Sequence, residues 1–259
     1  MREQNSRTHR TAKARSILIT GCSSGIGLTA ARLLTLRGWR VFASARRQHD
    51  VATLKEEGFE AIQLDLDDSH SIRSAVDSVL LNTGGYLDAL FNNGAFGLPG
   101  AVEDLSRDAL RAQFETNLFG WLELTNLIIP VMRQQGHGRI VQNSSVLGLV
   151  SLPYRGAYNA SKYALEGLTD TLRLELMGSN IHVSLIEPGP ILSRFRANSL
   201  AAFKRYIDQT GSVHQVCYTG MLKRLELEGP AVPFTLPPKR LSASWCMHSK
   251  ANDQRRAIT

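Results

Sequence analysis

The sequence predicts a doubly wound α/β fold, a parallel sheet with helices on both of its faces. Two patterns indicate this fold. Short apolar runs typical of strands alternate strictly with longer segments of helical period, and a glycine-rich turn lies between the first run and the first helical segment. Strands that alternate with helices form βαβ units, so the sheet that they build is parallel and buried on both faces.

The predicted elements follow one another without an internal repeat or a low-complexity segment. The strands are predicted at 17–20, 40–44, 60–64, 89–91, 138–144 and 181–187. The helices are predicted at 28–36, 69–81, 107–135 and 158–177, and a largely helical stretch follows at 195–227. Asp67, Asp68 and Ser69 are capping candidates for the second of these helices. Phe119 and Trp121, in the long third helix, are interpreted as core or interface residues rather than ligand contacts.

The net charge suggests an anionic partner, but its distribution along the chain does not. The chain has 259 residues, of which 30 are Lys or Arg and 23 are Asp or Glu, a formal charge of +7. Residues 1–16 and 239–259 each carry five basic residues and one acidic residue, which leaves 20 basic and 21 acidic residues in the body. A nearly neutral body argues against the binding of nucleic acid on a structured face.

Composition and spacing exclude several other classes of protein. The hydrophobic fraction of 43% is too high for a disordered chain, and no apolar run approaches the roughly 18 residues that a membrane span needs. The basic amino terminus lacks the apolar stretch of a secretory signal. Cys22, Cys217 and Cys246 are too few and too scattered for a disulfide framework or a zinc site, and the histidines show no ligand spacing. We therefore expect a cytoplasmic protein without a bound metal.

The glycine-rich turn at 20–27 reads TGCSSGIG. In a Rossmann-type fold, the first glycine permits a tight turn, the second lets a diphosphate approach the backbone, and the third lets the helix pack close to the sheet. The N–H groups at the helix start then face the phosphates. The alternative is that a strand-to-helix turn needs glycine for conformational reasons alone. The predicted dinucleotide contacts are Gly21, Ser23, Ser24, Gly25, Ile26 and Gly27.

The end of the second strand distinguishes the two nicotinamide cofactors. An acidic residue there would bind the ribose 2′-hydroxyl of NAD and repel a 2′-phosphate. The chain instead has Ala45 followed by Arg46 and Arg47, and a guanidinium binds phosphate through charge-assisted hydrogen bonds. This pattern predicts NADP(H) with Arg46 as the favoured contact. The alternative is that both arginines are solvated loop residues.

Tyr158 and Lys162 are four residues apart, which places them one turn apart on one face of a predicted helix. A phenol with a pKa of about 10 is a poor acid or base at neutral pH. A nearby ammonium and a cationic nicotinamide both favour the phenolate, so we expect a lowered pKa. Ser145, at the end of the fifth strand, would reach the same crevice at the carboxyl edge of the sheet. Such a Tyr–Lys pair also occurs by chance on many helices.

Taken together, these motifs resemble the short-chain dehydrogenase/reductase family. The resemblance covers about residues 15–195, with the family's features in their usual order and spacing. They are the turn at 20–27, Asn92-Asn93, Asn117, Ser145, Tyr158 with Lys162, and Pro188-Gly189-Pro190-Ile191. The chain is most similar to the NADP-dependent branch with 17β-hydroxysteroid and retinol dehydrogenases and bacterial aldehyde reductases. Gly94-Ala95 departs from the family's Ala-Gly, and Ala95 would be strained only if that position needs a positive φ.

The resemblance implies a role for each of these residues. Tyr158 would be the general acid in carbonyl reduction and the base in the reverse reaction, while Lys162 would lower its pKa and hold the nicotinamide ribose. Ser145 would bind the substrate oxygen, and Asn117 would hold a water that links Lys162 to solvent. The other implied cofactor contacts are Asp65 at the adenine, Asn92 beside the fourth strand, Pro188, Gly189 and Ile191 along the nicotinamide, and Ser193 at its carboxamide.

The carboxyl-terminal part departs from the family pattern. After a flexible basic leader at 1–15, a Rossmann-type domain is predicted over 16–238. It includes a substrate-covering segment at 194–228, whose apolar content fits either an apolar substrate or packing on the sheet. Residues 239–259 show neither helical period nor a strand. Our hypothesis is that this tail is translated out of frame and unstructured, so that the final helix and strand are missing or disrupted and the sixth strand has an unpaired edge.

The sequence therefore predicts an oxidoreductase that acts on CH–OH groups. It would transfer a hydride between NADP(H) and a small apolar alcohol, aldehyde or ketone. We expect a homodimer or homotetramer formed through the helices at 107–135 and 157–177. The alternative is a truncated, catalytically impaired protein that binds NADP, which the aberrant carboxyl end favours and the intact catalytic positions disfavour.

Overall fold

The computed structural model describes residues 14–230 and 233–240 and the backbone of residues 257–258. Within those ranges, seven strands form one sheet. They are β1 (Ser16–Ile19), β2 (Arg40–Ala45), β3 (Glu60–Gln63), β4 (Ala89–Asn92), β5 (Gly138–Asn143), β6 (Ile181–Glu187) and β7 (Ala257–Ile258). Their spatial order is β3-β2-β1-β4-β5-β6-β7, and all neighbours run parallel.

Helices cover both faces of this sheet. They are α1 (Gly25–Thr35), α2 (Gln48–Glu56), α3 (Ser69–Thr83), α4 (Arg107–Phe114), α5 (Gly120–Gln135), α6 (Gly156–Glu175), α7 (Phe195–Tyr206) and α8 (Gln215–Glu226). Ile17 and Ile19 of β1 share a core with residues of α1 and α2, whereas Leu18 shares one with α3, α5 and α6. Side chains that alternate along a strand thus fill two separate cores, and the predicted doubly wound fold is confirmed.

Two helical features differ from the prediction. α2 was not expected, because a nine-residue helix that buries only Val51 and Leu54 leaves little periodic signal. The single helix predicted at 107–135 is wrong at Glu115–Phe119, where a π-helical turn joins α4 to α5. A π turn adds one residue locally, which periodicity over a long window does not reveal. Asp68, a predicted capping residue, does cap α3 by accepting a bond of 2.8 Å from the His70 N–H.

The carboxyl end retains more of the sheet than expected. β7 is two residues long and pairs with Ile186 and Glu187 at the end of β6. Residues 238–240 are helical, and Leu236 forms an isolated parallel bridge with Ile191. The final strand is therefore shortened rather than missing, and β6 does not have a fully unpaired outer edge. Residues 1–13, 241–256 and 259 lie outside the described residues, so the flexible leader and the unstructured tail stay predictions.

No helix in the described part of the chain is long and apolar enough to cross a membrane. In the same ranges, no group of three or more His, Cys, Asp or Glu side chains is placed to hold a metal ion. Cys22 and Cys217 are free thiols. Burial raises the pKa of the Cys22 thiol to about 12, which fits a small turn residue rather than a nucleophile.

Candidate active site

The glycine-rich turn is fixed to β4 at the carboxyl edge of the sheet. The Thr20 N–H donates to the Phe91 carbonyl over 3.0 Å. The Thr20 hydroxyl in turn accepts bonds of 2.8 Å from the N–H groups of Asn93 and Gly94. These contacts place the turn beside the residues that follow β4, β5 and β6. Ligands bind at this edge in open α/β sheets.

The turn has the shape that a diphosphate needs. Gly21 and Gly25 have φ values of +68° and +61°, which glycine adopts without strain. A Cβ on Gly21 would lie 2.6 Å from the Cα of Gly94, so a side chain there is excluded. Ser24 makes no side-chain capping bond to α1, which leaves the first N–H groups of that helix available to an anion. The cradle therefore fits a dinucleotide phosphate, and the contacts predicted for Ser23, Ser24, Ile26 and Gly27 lie on it.

Asn93 braces this turn, a role that sequence reasoning missed. Its Nδ2 donates to the carbonyls of Thr20 (2.9 Å) and Gly21 (3.2 Å). Its Oδ1 accepts a bond of 2.9 Å from Asn143 at the end of β5. One side chain thus links the ends of β1, β4 and β5. The Asn-Asn pair was visible in the sequence, but nothing there showed which asparagine faces the turn.

The neighbours of Asn93 have structural roles. Asn92 is fully buried and donates to Thr125 (2.9 Å) and Gln142 (3.0 Å), so it ties β4 to α5 and β5. The cofactor contact expected of Asn92 stays a prediction. Ala95 is not among the described non-glycine residues with positive φ, so the exchange of Gly94 and Ala95 relative to the family leaves no backbone strain.

Tyr158 and Ser145 are brought together as expected. Tyr158 lies in the first turn of α6 and forms a hydrogen bond with the Ser145 side chain, two residues after β5. The Ser145 hydroxyl also accepts a bond of 3.1 Å from the Leu147 N–H, which fixes its rotamer. The Phe195 ring packs edge-on against Tyr158, with ring centroids 5.5 Å apart. The phenol and the hydroxyl therefore converge under an apolar cover.

Lys162 is enclosed one turn after Tyr158. Its Nζ donates to the Asn143 carbonyl over 2.7 Å and lies 4.3 Å from the centroid of the Trp121 ring. The Trp121 indole N–H donates to the Gly94 carbonyl over 2.7 Å, which holds the ring in place. A cation near an indole face is attracted to the ring quadrupole. Trp121 is a core residue as predicted, and it also contacts the lysine, for which the sequence contains no motif.

The pKa values of this pair are set by burial. Burial raises the pKa of Tyr158 to about 12, although the Ser145 hydrogen bond and the Arg155 charge act in the opposite direction. Burial lowers the pKa of Lys162 to about 7, against the charge of Glu166. The expected lowering of the phenol pKa is therefore not produced by the protein's own groups. Desolvation outweighs the Ser145 hydrogen bond and the Arg155 charge, and Nζ of Lys162 lies 5.8 Å from the centroid of the phenol ring.

Asn117 lies in the π-helical turn, and its side chain fastens that turn to its surroundings. Its Oδ1 accepts a bond of 3.1 Å from the Phe96 N–H, and its Nδ2 donates to the Phe96 carbonyl (2.9 Å). Nδ2 also donates to the hydroxyl of Ser161 (3.2 Å), the residue before Lys162. π turns occur frequently at functional sites. The water that the family resemblance places on Asn117 stays a prediction.

The end of β2 presents two free guanidinium groups. Ala45 is buried, whereas Arg46 and Arg47 are exposed. Neither side chain makes a hydrogen bond or a salt bridge to any residue that the structure describes. Asp65, after β3, accepts a bond of 3.2 Å from the Asp67 N–H. The Arg46 charge lies close enough to Asp67 to influence the pKa of that carboxyl. The predicted contacts of Asp65 and Arg46 are therefore on the same side of the cleft.

The segment after β6 returns to the glycine-rich turn. The Pro188 carbonyl accepts a bond of 3.1 Å from the Val146 N–H, beside Ser145. The Cβ of Ser193 lies 2.9 Å from the position that a Cβ on Gly25 would occupy. This segment thus runs from the neighbourhood of the Ser145 hydroxyl to the glycine-rich turn. The expected nicotinamide contacts of Pro188, Gly189, Ile191 and Ser193 lie along it.

Comparison with known proteins assigns this site to a family. The family model described as short chain dehydrogenase matches residues 15–202. An uncharacterized oxidoreductase of Escherichia coli K12, YbbO, is 45% identical over 225 residues, which are 87% of this chain and 77% of that protein. The chain belongs to the short-chain dehydrogenase family. It is therefore an oxidoreductase of a family that binds nicotinamide cofactors.

Two further relatives of this short-chain dehydrogenase support the expected branch and fold. Human retinol dehydrogenase 8 is 37% identical over 200 residues, which are 73% of this chain and 63% of that protein. The crystal structure of an actinorhodin polyketide ketoreductase with NADPH superimposes with a TM-score of 0.76 at 27% identity, covering 95% of each chain. The resemblance stated from the motifs is confirmed.

The segment at 194–228 of this dehydrogenase forms α7 and α8, and its apolar residues serve mainly in packing. Phe203, Ile207, Tyr218 and Met221 are buried in a third core cluster together with residues of the loop after β4. Val216 is 86% exposed and takes no part in this core. Of the two explanations for the apolar content, packing therefore accounts for most of it. Phe195 is the residue of this segment that contacts Tyr158.

Proposed function

We propose that this dehydrogenase interconverts small apolar carbonyl compounds and the corresponding alcohols, acting on CH–OH groups with NADP(H). The proposal rests on the buried Tyr158 phenol, which is hydrogen-bonded to Ser145 and followed one turn later by the enclosed Lys162. This set lies on the same sheet edge as the phosphate cradle. Asn117, in the π turn against α6, completes the proposed catalytic residues.

The protein's own groups would position the substrate and move the proton. A nicotinamide cofactor, when bound, supplies or accepts the hydride. Ser145 would hold the carbonyl oxygen by a hydrogen bond. Tyr158 is neutral at pH 7 because its pKa is about 12, so it is ready to donate its proton to that oxygen in the reduction.

Lys162 is placed to help restore the proton that Tyr158 donates in the reduction. Its pKa of about 7 means that it binds and releases a proton near neutral pH. Its Nζ is fixed by the Asn143 carbonyl, and the residue before it, Ser161, is bonded to Asn117. The neighbouring π turn would carry the proton path towards solvent, as the family resemblance implies for Asn117.

NADP(H) is proposed over NAD(H) because of Arg46. The position where an acidic residue would bind the 2′-hydroxyl holds Ala45, and the Arg46 guanidinium keeps its donors available. Replacing Arg46 by Gln should raise the dissociation constant for NADPH about tenfold and leave the dissociation constant for NADH unchanged. Equal affinity of Arg46→Gln and the unaltered protein for NADPH would contradict this assignment.

An apolar substrate is proposed because Phe195 faces the phenol. Its ring lies 5.5 Å from that of Tyr158 and would contact a substrate that reaches the phenol oxygen. A related protein is named retinol dehydrogenase 8, which agrees with an apolar aldehyde or alcohol. Small aldehydes, ketosteroids and retinal are therefore the compounds to compare first.

A homodimer or homotetramer is proposed from the exposed faces of α5 and α6. These helices and the π-helical turn before α5 leave several large apolar side chains open to solvent: Phe119 in the turn, Leu122 in α5, and Tyr163, Leu168 and Leu174 in α6. A shallow depression of about 380 Å³ beside Phe119 and Leu122 widens this surface. Burial of such a patch between subunits is its simplest use. Sedimentation equilibrium measures the subunit number, and a monomer at micromolar concentration would contradict the proposal.

The competing function is a dinucleotide-binding protein without turnover. The shortness of β7 favours this alternative, because β7 covers β6 at only two residues, Ile186 and Glu187. The two are separated by the oxidation of NADPH in the presence of the carbonyl panel, together with a binding titration of NADPH alone. Turnover with at least one carbonyl supports the enzyme. Tight binding of NADPH without any turnover supports the alternative.

A further inference from the structure

Three consecutive residues, Ser193, Arg194 and Phe195, cross the cofactor cleft, and we call them the strap. Ser193 packs against Gly25, since its Cβ lies 2.9 Å from the position of a Cβ on that glycine. Arg194 donates from Nη2 to the Ser23 carbonyl in the glycine-rich turn. Phe195 packs on the Tyr158 ring. The strap therefore touches the phosphate cradle and the catalytic phenol at the same time.

Arg194 is the charged member of the strap, and most of its donors are unused. Its Nη2 lies 3.6 Å from Oδ1 of Asp50, in the first turn of α2, in addition to its bond to Ser23. Both contacts involve one nitrogen, whereas a guanidinium carries five N–H donors. In the part of the chain that the structure describes, the group has no other hydrogen bond. The side chain is 56% exposed, so an incoming anion can reach it.

The partners of Arg194 are weaker than a phosphate would be. A backbone carbonyl is neutral, and the Asp50 oxygen at 3.6 Å is beyond hydrogen-bond distance. A phosphate accepts two parallel N–H bonds from a guanidinium, which is a stronger contact. Ser24 leaves the start of α1 uncapped directly beside Ser23. A diphosphate on those N–H groups would therefore have Arg194 next to it.

We propose that Arg194, held across the cleft by the strap, binds the diphosphate of the dinucleotide. This inference rests on the proposed function, since it assumes that a dinucleotide occupies the cradle. The diphosphate is assigned rather than the 2′-phosphate because the strap contacts Ser23 and Gly25 of the turn, and Arg194 donates a hydrogen bond there. After β2, Arg194 approaches Asp50 only to 3.6 Å, and Arg46 is the residue that follows Ala45. Because NADPH and NADH share the diphosphate, Arg194 contributes equally to both.

Dissociation constants test the proposal without depending on turnover. NADPH and NADH are titrated into the full chain and its variants, and bound nucleotide is followed by the fluorescence of its dihydronicotinamide. Arg194→Gln should raise the dissociation constants of both nucleotides about tenfold. Arg194→Lys should raise both by less, because lysine keeps the positive charge but lacks the planar guanidinium with its paired donors. Arg46→Gln should weaken NADPH alone.

Arg133→Gln is the matched control. It removes the same charge from the last turn of α5, at the opposite end of the sheet, and should change neither constant. Thermal unfolding of each variant confirms that it folds, as expected for an exposed Arg194. Unchanged constants in Arg194→Gln would overturn the proposal, and so would weakening of NADPH alone. If the unaltered protein binds neither nucleotide, the proposed function itself fails.

Discussion

The carboxyl edge of the sheet, with Tyr158 and Lys162 (the catalytic edge), and the segment at 194–228 (the covering segment) differ in their main contacts, although each also has contacts of the other kind. At the catalytic edge, Lys162 and Asn93 donate to backbone carbonyls of neighbouring strand ends. In the covering segment, Tyr218 on α8 donates to the Asp104 carboxylate, and His214 contacts Glu103 over 2.6 Å. Contacts to backbone depend on the fold and need only one side chain. Contacts between side chains need a matched pair, so a single substitution removes them.

This difference separates chemistry from substrate choice. Under the proposed function, the residues of turnover lie on or next to β5, α6 and the glycine-rich turn, which pack into the main cores of the domain. The covering segment packs its own core and is fastened to the loop after β4 by a few polar pairs, so its position over the phenol can change by substitution. Changes at the catalytic edge should therefore affect turnover, whereas changes in the covering segment should affect the KM for substrate.

The largest expected effect on the catalytic edge is that of Lys162→Met. Removal of the ammonium beside the phenol should lower kcat by about 10²–10³-fold. The same change should also alter how the free energy of unfolding depends on pH, because burial lowers the pKa of Lys162 from 10.5 to about 7 in the folded chain. Steady-state kinetics and chemical denaturation measure the two effects.

The sign of the stability effect follows from proton binding. Between pH 7 and pH 10.5 the unfolded lysine holds more protons than the folded one, so the stability of the unaltered protein rises with pH relative to Lys162→Met. The difference between the two proteins should change by an amount on the order of 3 kcal/mol between pH 7 and pH 10. A difference that does not vary with pH would contradict the burial of a titrating lysine.

An intermediate effect on kcat is expected at Trp121, and it tests whether the contact between the Trp121 ring and Nζ of Lys162 contributes to turnover. Trp121→Leu removes the ring 4.3 Å from Nζ and should lower kcat by about tenfold to thirtyfold. Trp121→Phe keeps an aromatic face and loses the bond to the Gly94 carbonyl, so a smaller loss is expected. If both variants lose the same activity, the cation–ring contact does not contribute to turnover.

The smallest effect on turnover is expected in the covering segment, from Tyr218→Phe. The Tyr218 hydroxyl accepts from the Ala101 N–H over 2.9 Å and donates to Asp104. Its loss leaves the Ala101 N–H without that partner, while Asp104 keeps its bond of 2.7 Å from the Ser212 hydroxyl. We expect a cost of about 1–3 kcal/mol in unfolding free energy and a severalfold rise in the KM for substrate. Tyr86→Phe, at a residue that is 52% exposed and precedes β4 at the opposite edge of the sheet, is the control and should change neither quantity. A fall in kcat with an unchanged KM would place Tyr218 in the catalytic machinery instead.

Sequence reasoning identified the parts of the site that depend on local spacing. The i, i+4 pair of Tyr158 and Lys162, Ser145 after β5, and the left-handed glycines of the turn all lie where they were predicted. It missed Asn93 and Trp121, which act through contacts between residues distant in sequence. It did not show the desolvation that raises the phenol pKa in the chain alone, because desolvation depends on how many elements enclose a group. The lowering expected from a bound cationic nicotinamide stays a prediction.

The proposed role of Tyr158 as proton donor is tested most directly by the variant Tyr158→Phe. This change removes one oxygen from the site and leaves the ring against Phe195 and the phosphate cradle unaltered. With an accepted carbonyl substrate and saturating NADPH, kcat should fall by about 10²–10⁴-fold, while the dissociation constant for NADPH stays the same. A variant that turns over at the rate of the unaltered protein would contradict the proposed role of Tyr158 as proton donor.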